Sequence, residues 1–222
     1  AEKLLGIPHA RMELIYLGGP EKHEIPFGSK KRVQDYLGTR DPYILFWSQW
    51  RSHKGIQVIL PAFERFKEAT GAPHKLVLVG RQEAAPQHVR DAIAASPFVD
   101  DIVTPGFAPD ELLPSIFAHA TMYVMPSFYE GFGLPPLEAM TYGTPVILAD
   151  NSSLPEIGGD AALYFPTGDV DALAERMQEV LFNPQMVETL RQRGFSQAAK
   201  FSWHECAKRT LGLYRSILDK KR

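Results

Sequence analysis

From Tyr43 onward, short apolar runs alternate with longer stretches in which apolar residues recur at helical spacing. The runs Tyr43 to Trp47, Lys75 to Val79, Asp101 to Thr104, Thr121 to Met125, Pro145 to Leu148 and Ala161 to Phe165 predict strands. Between them, Ile56 to Ala69, Pro86 to Ala95, Pro109 to His119, Pro136 to Tyr142 and Leu154 to Ile157 predict helices. A strand that is apolar along its whole length is covered on both faces, and amphipathic helices supply the covers. The pattern therefore predicts an α/β fold, a doubly wound parallel sheet. Helices also close the chain: one capped by Asp169, one after Pro184, and a last one opened by the capping box Ser202 to Glu205. On that last helix Trp203, Cys206, Ala207, Leu211, Tyr214 and Leu218 form one apolar stripe, expected to be core or an interdomain seam.

The region before Tyr43 reads differently. Ala1 is not Met, and the opening residues to Pro8 look like the last turns of a helix stopped by Gly6 and Pro8, as in a piece of a longer polypeptide. Met12 to Leu17 follows as a short strand. From Gly18 glycine, proline and both charges mix, and residues 19–40 read as a linker.

Composition narrows the chemistry. The chain has 222 residues, 45% hydrophobic and 23% charged, which is ordinary for a globular protein and excludes disordered or collagen-like classes. Basic and acidic residues nearly cancel, for a formal charge of -2, so the cationic surface that nucleic acid requires is not expected. Cys206 is the single cysteine; it excludes an internal disulfide or a cysteine-based zinc cage and fits a reducing compartment. The seven histidines show no ligand spacing, and no metal is expected. No apolar run approaches the roughly 18 residues of a membrane span.

In an open parallel sheet, ligands bind outside the carboxyl ends of the strands. The predicted loops there hold Arg51, Lys54, Gly80, Arg81, Gly106, Phe107 and Glu130, then Gly131, Phe132, Gly133 and Leu134. Gly131 and Gly133 precede Pro135-Pro136, and prolines suit the first turn of a helix. Free amides of Gly133 and Leu134 would then face an anion, backed by the helix dipole, with Lys54 and Arg51 or Arg81 converging on a diphosphate. Taken singly, each of these residues is a plain turn glycine or a solvated base; their placement on one rim favours the ligand. Glu130 and Glu138 bracket the turn and would accept hydrogen bonds from vicinal hydroxyls. The Gly131 to Pro136 run ends in proline and opens a later helix, so a nicotinamide fingerprint is disfavoured. Asn151 to Ser153 is a formal glycosylation sequon, without meaning in a cytoplasmic protein.

The run Ser127 to Met140 (SFYEGFGLPPLEAM), followed by Gly143 to Ile147, Ser152 to Ala162 and Phe201 to Trp203, resembles the nucleotide-sugar-binding half of family 4 retaining glycosyltransferases. The resemblance extends from about Tyr43 to Leu218. It implies a Rossmann-like domain, one half of a GT-B two-domain enzyme, occupying residues 41–200. Residues 1–18 would be a remnant of the N-terminal domain, and residues 201–222 a helix packing back towards it. It further implies that Lys54 binds the donor diphosphate and that Glu130 contacts the sugar near its anomeric carbon. The amides of Phe132, Gly133 and Leu134 would hold sugar hydroxyls and phosphate, Glu138 the ribose, and the loop Val103 to Phe107, with Gly106, the base.

Gln49 stands where the family often has a basic residue, so Arg51 or Arg81 would take that role. The family's interdomain linker is replaced by Leu17 to Pro20. The implied chemistry is a front-side displacement in which the leaving diphosphate helps deprotonate the acceptor, with no cofactor; Glu130 as covalent nucleophile is the alternative. The donor would be a GDP-sugar, mannose by overall similarity, or a UDP-sugar. The acceptor would be a glycan or lipid-linked glycan held by the missing domain. Location would be cytoplasmic, peripheral to the inner face of a membrane through that domain. A sugar-nucleotide epimerase of the same plan, or a non-catalytic binding module, remains open at this point.

Overall fold

The computed structural model describes residues 6–21, 26, 29–82 and 85–219. Among them, strands β1 (Tyr43–Trp47), β2 (Lys75–Val79), β3 (Ile102–Gly106), β4 (Met122–Met125), β5 (Val146–Ala149) and β6 (Ala162–Phe165) form one sheet. Its order is β3-β2-β1-β4-β5-β6, and every pairing is parallel. The helices are α1 (Ser29–Leu37), α2 (Ile56–Thr70), α3 (Gln87–Ala95), α4 (Leu113–His119), α5 (Leu134–Thr141), α6 (Leu154–Gly158), α7 (Val170–Phe182), α8 (Pro184–Ala198) and α9 (Trp203–Asp219).

The sheet is the core because its strands are apolar on both faces. Ile44, Leu45, Phe46, Leu76, Val77, Leu78, Met122, Tyr123 and Val124 are all fully buried, with Phe63, Phe66 and Phe117 of the covering helices against them. At the amino-terminal end of the strands, Asp101 takes Lys67 on one carboxylate oxygen at 2.8 Å and Lys75 on the other at 2.5 Å, tying β2 to the start of β3. The strand order reverses between β1 and β4: from β1 the chain winds outward to β3, then returns to the opposite side of β1. Loops leaving two such neighbours diverge and open a crevice.

Several expectations are corrected. Residues 29–37, read as linker, form α1, because Val33 and Leu37 face inward from an otherwise polar helix. Met12 to Leu17 forms no strand and pairs with none among the described residues; Tyr16 instead packs edge-on against Phe201 at 5.6 Å. The amide of Gly19 donates to Phe201 O at 3.0 Å. Val103 belongs to β3 and not to a loop. The apolar stripe of α9 is not core: Trp203, Leu211, Tyr214 and Leu218 are exposed. The expected helix over residues 1–5 lies outside the described residues.

Candidate functional site at the carboxyl edge of the sheet

The loop after β1 ends in a short turn, Ser52–Lys54, closed by Gly55 in the left-handed region at φ 79°. That glycine is required by a close crossing, since a Cβ on it would lie 2.0 Å from the carbonyl oxygen of Pro126, in the loop after β4. The two loops are further joined by the amide of Phe128, which donates to His53 O at 2.8 Å. The crevice predicted at the reversal of strand order is thus bounded by two loops held in contact.

Lys54 and Glu130 meet in this crevice. Lys54 Nζ lies 2.7 Å from Oε1 and 2.8 Å from Oε2 of Glu130. Side-chain exposures of only 16% and 9% shield the pair from water, so it is held more firmly than a surface ion pair. The buried hydroxyl of Ser127 donates to Glu130 Oε1 at 2.7 Å.

The loop after β5 supports the Glu130 backbone from below. The Glu130 amide donates to Ser152 Oγ at 3.0 Å. Ser153 Oγ lies 2.6 Å from Phe132 O and 3.1 Å from Glu130 O. Asn151 Nδ2 donates to Ser127 O at 2.8 Å. Ser152 sits at φ 50°, a conformation that L side chains adopt at a cost.

Gly133, at φ 116°, is the N-cap of α5, and Pro135 and Pro136 lie in its first turn as expected. Among the described residues, no group accepts from the backbone amides of Phe132, Gly133 or Leu134. The positive end of the helix lies behind them, so these amides are left with donors that an acceptor from outside the chain could take. Gly131 is exposed and uncrowded. The Phe132 ring turns away from the rim to pack with Tyr16 and Phe201.

Glu138 does not join Lys54. It lines a cavity of about 160 Å³ with Trp47, Asp110, Leu113, Phe117 and Tyr142. Burial pushes its carboxyl up to about 7. The Tyr123 hydroxyl donates to Trp47 O at 3.1 Å. That hydroxyl is raised well above the usual phenol range, by burial first and then by the charges of Glu130 and Glu138. Both carboxylates therefore lie within electrostatic reach of one group beneath the β1–β4 seam.

The remaining expected residues line the outer part of the edge. Gly80 lets the loops after β1 and β2 approach: its Cβ would lie 2.1 Å from Ser48 O. Its amide donates to Gly106 O at 3.0 Å. Arg51, Arg81 and Phe107 are exposed, and neither arginine makes an ion pair among the described residues. Wider hollows of about 360 Å³ beside Arg193 and Asp160 and about 390 Å³ beside Asn183 lie along α8 and α7, away from the carboxyl ends of the strands. Among the described residues no three His, Cys, Asp or Glu side chains gather as a cation cage would require.

The residues that sequence reasoning missed are Ser127, Asn151, Ser152 and Ser153. They stood in the runs that carry the resemblance and in the loops after apolar strands, but nothing in the sequence gave them a role; their partners lie in neighbouring loops, which spacing along the chain does not show. Chemically the arrangement offers a cation, unpaired amides and a fixed carboxylate around one crevice, with a second carboxylate beside an adjoining apolar cavity. Such a set suits an anion carrying hydroxyl groups on either side.

Comparison with known proteins bears on this geometry. Residues 29–197 match the family model described as glycosyl transferases group 1. The O-antigen chain mannosyltransferase B of Escherichia coli is 34% identical over 185 residues, covering 83% of this chain and 49% of that protein. The MMP alpha-(1->4)-mannosyltransferase of Mycolicibacterium hassiacum is 32% identical over 207 residues, covering 90% of this chain and 49% of that protein. The crystal structure of a glycosyltransferase from Rickettsia africae superposes with a TM-score of 0.86 at 17% identity, covering 96% of this chain and 59% of that one. The chain spans about half the length of the curated relatives it matches.

Proposed function

The chain belongs to the group 1 glycosyl transferases, and from that premise we propose that it is the donor-binding half of a retaining enzyme. That enzyme moves a sugar from a nucleoside diphosphate to a glycan or lipid-linked acceptor. The observation that carries the reading is the convergence of Lys54 and Glu130 from the two loops at the strand-order reversal, beside the unpaired amides of Phe132, Gly133 and Leu134. In this reading the amides and Lys54 hold the diphosphate, Glu130 faces the sugar near its anomeric carbon, and Glu138 accepts the ribose hydroxyls. The apolar cavity beside Glu138, bounded by Leu113 and Phe117, receives the nucleoside, with Gly80, Gly106 and Phe107 towards the base and Arg51 or Arg81 at the outer phosphate.

Catalysis of such a transfer rests on stabilising the negative charge that grows on the departing diphosphate. Preorganised amides and one ammonium group do this without rearranging at the moment of reaction. No metal is called for in this reading, because Lys54 and the helix terminus supply the positive charge. The configuration is kept by attack on the face the diphosphate leaves, with its oxygen taking the acceptor proton. Mannose is the sugar we favour, because both curated relatives described above are named mannosyltransferases, and we take GDP as its carrier for the test. A UDP-sugar is the alternative. Among the described residues no helix is long and apolar enough to cross a membrane. The reading puts the reaction in the cytoplasm, with the acceptor, and any membrane contact it brings, met by a second domain; this chain alone is expected to bind donor and scarcely turn it over.

Calorimetric titration of the chain with GDP, UDP and ADP, with and without a chelator, tests the reading. Saturable binding of one nucleotide, unchanged by chelator and weakened at least tenfold in Lys54→Ala, is the expected result; loss of a charge-assisted phosphate contact is worth about 1.5–3 kcal/mol. Unaltered affinity in both Lys54→Ala and Glu138→Gln would overturn it.

A further inference from the structure

Glu130 is held at more points than an anion partner for Lys54 would need. Its Oε1 receives Ser127 Oγ at 2.7 Å as well as Lys54. Its amide donates to Ser152 Oγ at 3.0 Å, and its carbonyl oxygen lies 3.1 Å from Ser153 Oγ. The Ser152 hydroxyl gives its own proton to Asn151 Oδ1 at 2.8 Å, which leaves a lone pair aimed at the Glu130 amide. Asn151 in turn fixes the carbonyl of Ser127 and donates to Thr167 Oγ1. The loop after β5 thus grips the loop after β4 on both sides of Glu130, and it does so with Ser152 kept at φ 50°.

Resting on the donor-binding reading above, we propose that Ser127 and Ser152 are positioning residues for the Glu130 carboxylate. Lys54 serves two anions in that reading. When a diphosphate enters, the ammonium is shared with it, and the carboxylate loses part of what oriented it. Ser127 is fully buried and neutral, so an incoming phosphate neither reaches it nor attracts it. Its hydroxyl stays on Oε1, while Ser152 fixes the peptide from which the side chain departs. A carboxylate held this way points at the sugar both before and after Lys54 has turned. Left with Lys54 alone, it would follow the ammonium towards the phosphate.

The test compares GDP with GDP-mannose on this chain by calorimetry, or UDP with UDP-glucose if UDP is the nucleotide that binds. The ratio of the two affinities isolates what the sugar adds. We expect the sugar nucleotide to bind more tightly in the wild type. Ser127→Ala should reduce that ratio roughly tenfold while leaving nucleotide affinity within twofold, the effect of one hydrogen bond to a charged group. Ser127→Cys, of similar volume and with a weak donor, should restore part of it.

A merely structural role would lower both affinities together and would not be rescued selectively. Should Ser127→Ala fail to fold, Ser152→Gly decides, because glycine accepts the positive φ while the hydroxymethyl group that holds the Glu130 amide is removed. An unchanged ratio in the folded serine variants overturns the proposal. So does a wild type that binds nucleotide but gains nothing from the sugar, and in both cases the donor-site reading survives. A wild type that binds no nucleotide overturns the reading and this proposal with it.

Discussion

Glu138 is the residue whose energetics the fold changes most visibly. Burial raises its carboxyl from 4.5 to about 7, and no ion pair offsets that among the described residues. The folded chain thus holds this proton to a higher pH than the unfolded chain does. The contribution to stability is full below about pH 4.5 and is lost as the pH rises through about 7. Allowing for its partial exposure, the penalty above pH 7 is about 2 kcal/mol. Glu138→Gln should therefore raise the melting temperature at pH 8 and leave it nearly unchanged at pH 4, which paired thermal melts would check. Ligand binding should run the other way. An ionised carboxylate accepts from ribose hydroxyls more strongly than its protonated form, so nucleotide affinity in the wild type should rise more from pH 6 to pH 8 than in Glu138→Gln; equal slopes in calorimetry would remove Glu138 from the binding set. Lys54 and Glu130 could be picked out as candidates in the sequence because charge beside glycines at the end of an apolar strand is conspicuous, whereas Glu138, inside a helix, was picked out only by its place across the turn and by the family resemblance. Ser127 and Ser152 were not, because a serine acquires a role only from the partner that the fold brings to it.

At the scale of elements, the site depends on how closely two loops cross. Gly55→Ala would force a Cβ to within 2.0 Å of Pro126 O while keeping φ at 79°. We expect a loss of about 2–4 kcal/mol, read by urea unfolding, together with loss of nucleotide binding as Lys54 is displaced from Glu130. The strands were legible for a simple reason: a segment covered on both faces has no polar side to interrupt its apolar run. The linker reading of residues 29–37 failed for the opposite reason. Apart from Val33 and Leu37 that helix is mostly polar, so its period is faint, and it is fixed by packing against the domain and not by propensity. Met12 to Leu17 shows the converse, since an apolar run of strand length becomes a strand only where an edge is free to pair with it. Here Tyr16 is taken up by Phe132 and Phe201 instead.

Over the whole molecule, the sheet carries the stability and α9 stands apart from it. None of its residues is buried, and Leu211, Tyr214, Ile217 and Leu218 are exposed. Leu211→Ser with Leu218→Ser should accordingly change the unfolding free energy of this chain by no more than about 0.5 kcal/mol, the range of surface substitutions, as denaturant titration would show. A larger loss would mean that the stripe is packed in solution. The doubly wound plan was readable from periodicity alone, whereas the exposure of α9 was not, because an apolar stripe looks the same whether or not something covers it.

The pairing of β1 with β4 has a kinetic side as well. Ile44 and Leu45 find their neighbours Met122 and Tyr123 across about half of the domain's length, so this contact closes a long loop and belongs to the slow part of folding. The crevice that holds Lys54 and Glu130 exists only once that closure is made. A ligand bridging the two loops would bind the finished sheet and not its separated halves, and so would act as a removable cross-link. Bound nucleotide should lengthen the lifetime of the native chain against proteases, in proportion to how tightly it is held.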